Sequence, residues 1–170
     1  MTGGPEILET ERLSLHELTP EDAPFILELL MSRGFTENIG DRGVRDLDGA
    51  RGYIERQREG YAANGFGLWR ADVKESGETA GICGLVKRDG LDDPDVGYAF
   101  LEPFWGRGYA SEVAAATLAY GRDILGLPTI VAITKPENLG SIAVLQRIGM
   151  KSLGLIKLPG HDDQSSYFTT

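Results

Sequence analysis

The spacing of apolar residues changes along the first third of the chain. Residues 12–18 alternate between apolar and polar side chains, which predicts a half-buried strand. The segment TPED then predicts a helix over residues 19–32, with Asp22 as the alternative cap because a second proline follows it closely. The glycine-rich and charged residues 33–46 predict an exposed loop, and residues 47–63 carry a loose apolar stripe that predicts a second helix.

Strands dominate the remainder of the chain, and two helices interrupt them. The alanine-rich residues 108–125 and the shorter segment 138–148 have helical spacing, and each is followed by a glycine that can end it. Apolar runs predict strands over residues 66–73, 79–87, 96–101, 129–134, 153–158 and 166–169. This order of elements predicts an α/β (α+β) fold with a mixed, largely antiparallel sheet. The length of 170 residues, against about 150 per domain, leads us to expect one domain over residues 1–170.

One connection between a predicted strand and a predicted helix is suited to an anion. The segment LEPFWGRGYAS, residues 101–111, contains two glycines, and we name it the glycine turn. Gly106 and Gly108 allow the backbone to approach a ligand closely, and the N–H groups that follow lie at the positive end of the helix dipole. The segment therefore predicts a phosphate-binding turn, although the same glycines also fit a strand-to-helix connection that binds nothing.

Composition narrows the classes of partner. Hydrophobic residues make up 41% of the chain and charged residues 25%, as in an ordinary soluble globular protein. The formal net charge of -9 argues against binding to nucleic acid, which needs clustered Lys and Arg. An acidic surface favours a cationic acceptor such as an amine, but it also favours solubility alone. The first residues lack the features of a signal peptide and no apolar run is long enough to span a membrane, so we expect the protein in the cytoplasm.

Residues that form disulfides or hold metals are scarce. Cys83 is the only cysteine, and its apolar surroundings predict a small core residue rather than a nucleophile. His16 and His161 are the only histidines, so we expect no zinc site and no other metal site.

Three separated motifs give the chain a resemblance to a known family. The segments LETERLSL, WGRGYASE and NLGSIAVLQRIGM resemble the RimJ/RimL-like branch of the GNAT superfamily of N-acetyltransferases, the branch that acetylates ribosomal-protein N-termini. The central motif of the superfamily falls on Trp105, Gly108 and Ala110, and Trp105 replaces the usual Gln or Arg. This departure removes a polar side chain but leaves the backbone N–H groups in place.

The resemblance implies a fold and a co-substrate. The fold is a single-domain GNAT fold, in which helices cover both faces of a mixed sheet that is splayed at its central strands, with a bulge in the strand before the glycine turn. The co-substrate is acetyl-CoA, with its diphosphate on the N–H groups of the turn and its pantetheine arm paired to that strand. The cofactor-binding residues implied by the resemblance are Phe100, Leu101, Gly106, Arg107, Gly108, Tyr109, Ala110, Ser111 and Asn138.

Three residues are candidates for the chemistry. Asp95 matches a position where many members carry an acidic base that acts directly or through water, but it also belongs to the turn DGLDDPD, where a solvated carboxylate is the commoner identity. Many members protonate the leaving thiolate with a tyrosine at the position of Leu145, so the resemblance leaves Ser141 for that role, assisted by Asn138. Asn138 and Ser141 also fit the cap and the third residue of a helix, and both roles can hold together.

The implied activity is N-acetyl transfer from acetyl-CoA to a primary amine by direct attack. The implied acceptor is a protein N-terminus or a small-molecule amine, and we expect residues 34–46 to select it. The alternative is a catalytically weak module that binds acyl-CoA and regulates a partner. A monomer and a homodimer are both compatible with the sequence.

Overall fold

The computed structural model describes residues 4–170, which contain one open sheet of eight strands. The strands are β1 (Glu6–Glu9), β2 (Leu13–His16), β3 (Leu68–Val73), β4 (Thr79–Val86), β5 (Asp95–Phe100), β6 (Val131–Thr134), β7 (Lys151–Ile156) and β8 (Ser165–Thr169). Their order across the sheet is β1-β2-β3-β4-β5-β6-β8-β7. Neighbours are antiparallel except for β5 and β6, which are parallel. The mixed, mostly antiparallel sheet predicted from the sequence is confirmed.

Helices pack on both faces of this sheet. They are α1 (Ala23–Met31), α2 (Arg33–Asn38), α3 (Leu47–Asn64), α4 (Tyr109–Asp123) and α5 (Leu139–Arg147). The face covered by α4 and α5 buries Val96 and Phe100 of β5, while the face covered by α1 and α3 buries Ala99. Successive residues of a strand point to opposite faces, so β5 contributes side chains to both cores. None of the helices within residues 4–170 is long and apolar enough to cross a membrane.

Two short elements differ from the sequence expectation. The exposed loop expected over residues 33–46 is wrong for its first part, because Arg33–Asn38 forms α2. Ser32 caps this helix by accepting a hydrogen bond from the N–H of Phe35, whose side chain is buried. Strand β1 precedes the first predicted strand and pairs with β2. Elements this short depend on tertiary packing more than on their own apolar pattern, which explains why the pattern did not reveal them.

The sheet is splayed between β5 and β6, as the resemblance implies. The two strands are paired only at Asp95 and Val131, and the rest of β5 has no ladder to β6. The β4–β5 ladder runs without a register shift from Asp95 to Phe100, so the implied bulge in β5 is wrong. The gap arises because β6 diverges from β5 after a single paired residue.

Candidate active site

The gap between β5 and β6 opens into a cavity of about 890 Å³. Its walls come from β5, the first turns of α4 and α5, the segment around α2 and the β7–β8 connection. Among the residues expected at the site, the cavity is lined by Asp95, Phe100, Gly106, Gly108, Tyr109, Ala110, Ser111, Asn138 and Ser141. Leu101 and Arg107 are not part of its lining. One cavity therefore joins the glycine turn to all three residues that the sequence nominated for chemistry.

The backbone of the glycine turn is suited to a phosphate. Gly106 has a φ of 74° and Gly108 a φ of 81°, both in the left-handed region, and Gly108 caps α4. A Cβ added at Gly106 would meet no protein atom within 4 Å. The N–H groups in the first turn of α4 have no partner inside the helix. The turn thus offers both space and hydrogen-bond donors, which suit an anionic group such as a phosphate.

Trp105, the residue that departs from the superfamily motif, braces the glycine turn. Its indole Nε1 donates to the backbone carbonyl of Phe100 at 2.7 Å. A Cβ added at Gly34 would stand only 2.5 Å from Cζ2 of the indole. Trp105 therefore connects the end of β5, the glycine turn and α2.

Glu112 supports the turn, and the sequence analysis missed it. Its carboxylate accepts hydrogen bonds from Thr10 Oγ1 at 2.5 Å, from Arg12 N at 2.9 Å and from Arg12 Nε at 2.7 Å. Burial alone would raise the pKa of Glu112, but these hydrogen bonds hold the pKa below its ordinary value. Glu112 thus ties the segment between β1 and β2 to the first turn of α4. Both partners stand in the sequence motifs, since Thr10 and Arg12 belong to LETERLSL and Glu112 is the last residue of WGRGYASE.

Arginine side chains surround the glycine turn. Arg147 Nη1 donates to Ser111 Oγ at 2.7 Å, and the Arg12 guanidinium lies 4.6 Å from the centre of the Tyr109 ring. Arg107 is exposed beside the turn. Arg107 and Arg147 can add a charge-assisted contact to a phosphate, whereas Arg12 is paired with Glu112.

The backbone of β5 presents alternate residues to the gap. Leu101 N donates to Ala80 O at 2.9 Å, and the Leu101 carbonyl accepts from Phe104 N at 2.9 Å. Because hydrogen bonding alternates along an antiparallel ladder, the N–H groups of Tyr98 and Phe100 point away from β4 and toward the gap. The groups available to a pantetheine arm are therefore the N–H and carbonyl of Tyr98 and the N–H of Phe100, because the Phe100 carbonyl accepts from Trp105 and Leu101 is engaged within the protein.

Ser141 and Asn138 lie beside Tyr98 of β5, a residue that the sequence analysis did not single out. Asn138 caps α5, and its side-chain oxygen accepts from Ser141 N at 3.1 Å. The Tyr98 hydroxyl lies 2.9 Å from Ser141 Oγ and 3.2 Å from the Ser141 carbonyl oxygen. Burial raises the pKa of Tyr98 to about 12, although its hydrogen bond with Ser141 opposes this. Leu145, by contrast, is buried in the core.

Asp95 is not a solvated turn carboxylate. Its side chain is 2% exposed, whereas Asp89 and Asp92 of the same turn are exposed. Arg88 Nη2 donates to Asp95 Oδ2 at 3.3 Å, and Asp95 Oδ1 is buried without a partner. Burial raises the pKa of Asp95, and Arg88 opposes the rise. Alternation along β5 places Asp95 on the face opposite Tyr98, where Tyr53 of α3 also lines the cavity.

Cys83 takes no part in this arrangement. Burial raises the pKa of its thiol to about 12, and its Sγ lies 3.4 Å from Thr117 Oγ1 in the core. The interpretation of Cys83 as a core residue is confirmed. Within residues 4–170, no group of three or more His, Cys, Asp and Glu side chains is arranged to hold a metal ion.

Comparison with known proteins agrees with this geometry. The family described as acetyltransferase (GNAT) domain matches residues 12–151. A Bacillus subtilis protein named uncharacterized N-acetyltransferase YoaA is 28% identical over 169 residues, covering 96% of this chain and 93% of its own. The crystal structure of an acetyltransferase from Agrobacterium tumefaciens superposes with a TM-score of 0.84 at 28% identity, covering 100% of this chain and 96% of that chain.

A third similar structure was solved with coenzyme A. RimL, a ribosomal L7/L12 alpha-N-protein acetyltransferase solved in complex with coenzyme A, superposes with a TM-score of 0.83. At 16% identity, covering 98% of this chain and 97% of that chain, this likeness establishes the fold. The glycine turn, the splayed strands and the match over residues 12–151 lead to one conclusion: the chain belongs to the GNAT acetyltransferase family and is an acyltransferase.

Proposed function

We propose that this acyltransferase moves an acetyl group from acetyl-CoA to a primary amine by direct attack of the amine on the thioester. The observation that carries the proposal is the single cavity that connects the glycine turn, the Tyr98–Ser141 pair and Asp95 through the gap between β5 and β6. A donor bound on the α4 side of the sheet and an acceptor bound on the α3 side can meet in that gap. The chain of RimL, solved with coenzyme A, has the same fold.

The donor half of the cavity is assigned to acetyl-CoA. Gly106, Gly108 and the first N–H groups of α4 would hold the diphosphate, and Arg107 and Arg147 would add charge-assisted contacts. The N–H and carbonyl of Tyr98 and the N–H of Phe100, which face the gap, would pair with the pantetheine arm. Such pairing would bring the thioester beside Ser141, which lies one helical turn into α5 from the cap Asn138.

The transfer step needs two kinds of hydrogen-bond donor. As the amine nitrogen bonds to the acetyl carbon, negative charge develops on the acetyl oxygen, and a β5 N–H that points into the gap can stabilise it. The C–S bond then breaks and its electron pair goes to sulfur. The Ser141 hydroxyl is the hydrogen-bond donor assigned to that sulfur. Asn138 holds Ser141 in place by accepting a hydrogen bond from its backbone N–H.

The acceptor amine must lose a proton before or during attack. With ordinary pKa values, neutralising an α-amine at neutral pH costs about 1 kcal/mol, whereas a lysine side chain costs about 4.6 kcal/mol. Asp95 is the assigned base because it is the buried carboxylate at the cavity, and its raised pKa suits proton uptake. The Asp95 carboxylate would take up the proton directly or through a water molecule. A protein N-terminus or a small α-amine therefore needs the least assistance.

A thiol-release assay with purified protein, acetyl-CoA and a panel of amines tests the function. Turnover above the rate of acetyl-CoA hydrolysis, with an acetylated amine detected by mass spectrometry, is the expected result. Ser141→Ala should lower kcat about tenfold, the value of one hydrogen bond of about 1.4 kcal/mol, and leave the affinity for acetyl-CoA nearly unchanged. Tight binding of acetyl-CoA without transfer to any amine would instead identify an acyl-CoA-binding module.

A further inference from the structure

The Tyr98 hydroxyl joins two elements that the splayed sheet otherwise separates. Tyr98 belongs to β5 and Ser141 to α5, and their hydroxyl oxygens lie 2.9 Å apart across the cavity wall. The phenol is half-buried, on the same face of β5 as Phe100, which is the donor side of the cavity. Neither the family motif nor the sequence pattern assigns a role to this hydroxyl.

The acidity of the two groups limits what the phenol can do. The pKa of Tyr98 is about 12, whereas a thiol has an ordinary pKa of about 8.5. Passing a proton from the phenol to a thiolate is therefore unfavourable. Tyr98 should stay protonated throughout, so it is a hydrogen-bond donor and not an acid.

A hydroxyl group has one proton, so the direction of its O–H bond decides which acceptor receives the hydrogen bond. Ser141 Oγ can donate to Tyr98 or to another acceptor, but not to both. The Tyr98 proton has two possible acceptors, Ser141 Oγ at 2.9 Å and the Ser141 carbonyl at 3.2 Å. Donation over the shorter distance leaves the Ser141 proton free to point into the cavity.

We propose that Tyr98 is a positioning residue for Ser141: its hydroxyl donates to Ser141 Oγ, and this directs the Ser141 proton toward the sulfur of the departing thiol. The inference rests on the proposed function, which gives Ser141 that sulfur as a partner. Both hydroxyls keep their protons. The sulfur receives the electron pair of the broken C–S bond, and the proton lost by the amine, carried by Asp95 or water, restores the thiol.

A double-mutant cycle tests this coupling. Tyr98→Phe removes the hydroxyl and keeps the ring, and it should lower kcat about tenfold with little change in KM for acetyl-CoA. In the Ser141→Ala background the same substitution should cost nothing further, because Tyr98 acts through Ser141. Tyr120→Phe is the matched control, since Tyr120 packs edge-on against Trp69 and does not line the cavity. An unchanged kcat in Tyr98→Phe, or an equal loss in both backgrounds, overturns the proposal.

A second measurement needs no turnover. The pKa of the thiol of bound CoA, read from the ultraviolet absorbance of the thiolate against a desulfo-CoA complex, reports directly on donors at the sulfur. Tyr98→Phe and Ser141→Ala should each raise that pKa, and the double variant should raise it no further than Ser141→Ala alone. A protein that shows this pattern but acetylates no amine would refute the proposed function and leave the Tyr98–Ser141 coupling intact. A thiol pKa that is the same in wild type and Tyr98→Phe would refute the coupling alone.

Discussion

Two glycines of the chain form a matched pair that separates ligand binding from backbone strain. Gly106 has a φ of 74° and Gly126 a φ of 69°, and a Cβ at either position would meet no protein atom within 4 Å. Gly106 lies in the glycine turn and lines the cavity, whereas Gly126 follows α4 and does not. Replacing each by alanine therefore imposes the same strain on the protein but puts a methyl group near the ligand at Gly106 only.

The expected magnitudes follow from this pairing. A side chain in the left-handed region costs about 1–2 kcal/mol, so Gly106→Ala and Gly126→Ala should lower the free energy of unfolding by similar amounts. The methyl group at position 106 should also hold a phosphate away from the N–H groups of the turn. Losing one charged hydrogen bond, about 1.5–3 kcal/mol, would weaken CoA binding roughly 10- to 100-fold in Gly106→Ala. Gly126→Ala should bind CoA like wild type.

Two measurements separate the loss of stability from the loss of CoA binding. Urea unfolding gives the free-energy change of each variant, and titration calorimetry with CoA gives the affinity. Equal CoA affinities in Gly106→Ala and Gly126→Ala would show that the diphosphate does not lie at the glycine turn. If Gly106→Ala lowered the free energy of unfolding much more than Gly126→Ala, the glycine turn would depend on contacts beyond the positive φ that the two glycines share.

Two further predictions concern carboxylates. Glu112→Gln should lower the free energy of unfolding by about 1–3 kcal/mol at neutral pH, because it weakens the hydrogen bonds from Thr10 and Arg12. The pKa of Glu112 is lower in the folded state than in the unfolded state, so the carboxylate stabilises the fold fully above the unfolded-state pKa. This stabilisation should disappear as the pH falls through the folded-state pKa. A difference in urea midpoint between wild type and Glu112→Gln that stays constant into acid would contradict this. Asp95→Asn should lower kcat/KM for an amine roughly 100-fold and remove one ionisation from the acid side of its pH profile, and an unaltered profile would exclude Asp95 as the base.

Local signals explain which parts of the site could be predicted from the sequence. Gly108 and Asn138 act through their own backbone and neighbouring residues, so the starts of α4 and α5 were recognisable from a few positions. The apolar stripe of the alanine-rich segment likewise predicted the helix that follows the glycine turn. Family resemblance then supplied Ser141, whose position beside Asn138 the structure reproduces.

Long-range contacts explain the rest. Arg12 and Glu112 are separated by 100 positions, and Tyr98 and Ser141 by 43, so no local pattern could pair them. The identity of Asp95 as the buried aspartate depends on where β5 begins, which a turn with four aspartates does not specify. Helix α2 was missed because glycine and charged residues outnumber its single buried anchor, Phe35.

The close approach of Trp105 to Gly34 restricts the size of the residue that position 34 can hold. Any larger residue at position 34 would push directly into the indole ring and so disturb the turn on which the donor is expected to rest. A larger side chain at position 34 should therefore act on the donor side of the cavity through Trp105, whereas a change in the β7–β8 connection on the other rim should leave the glycine turn undisturbed.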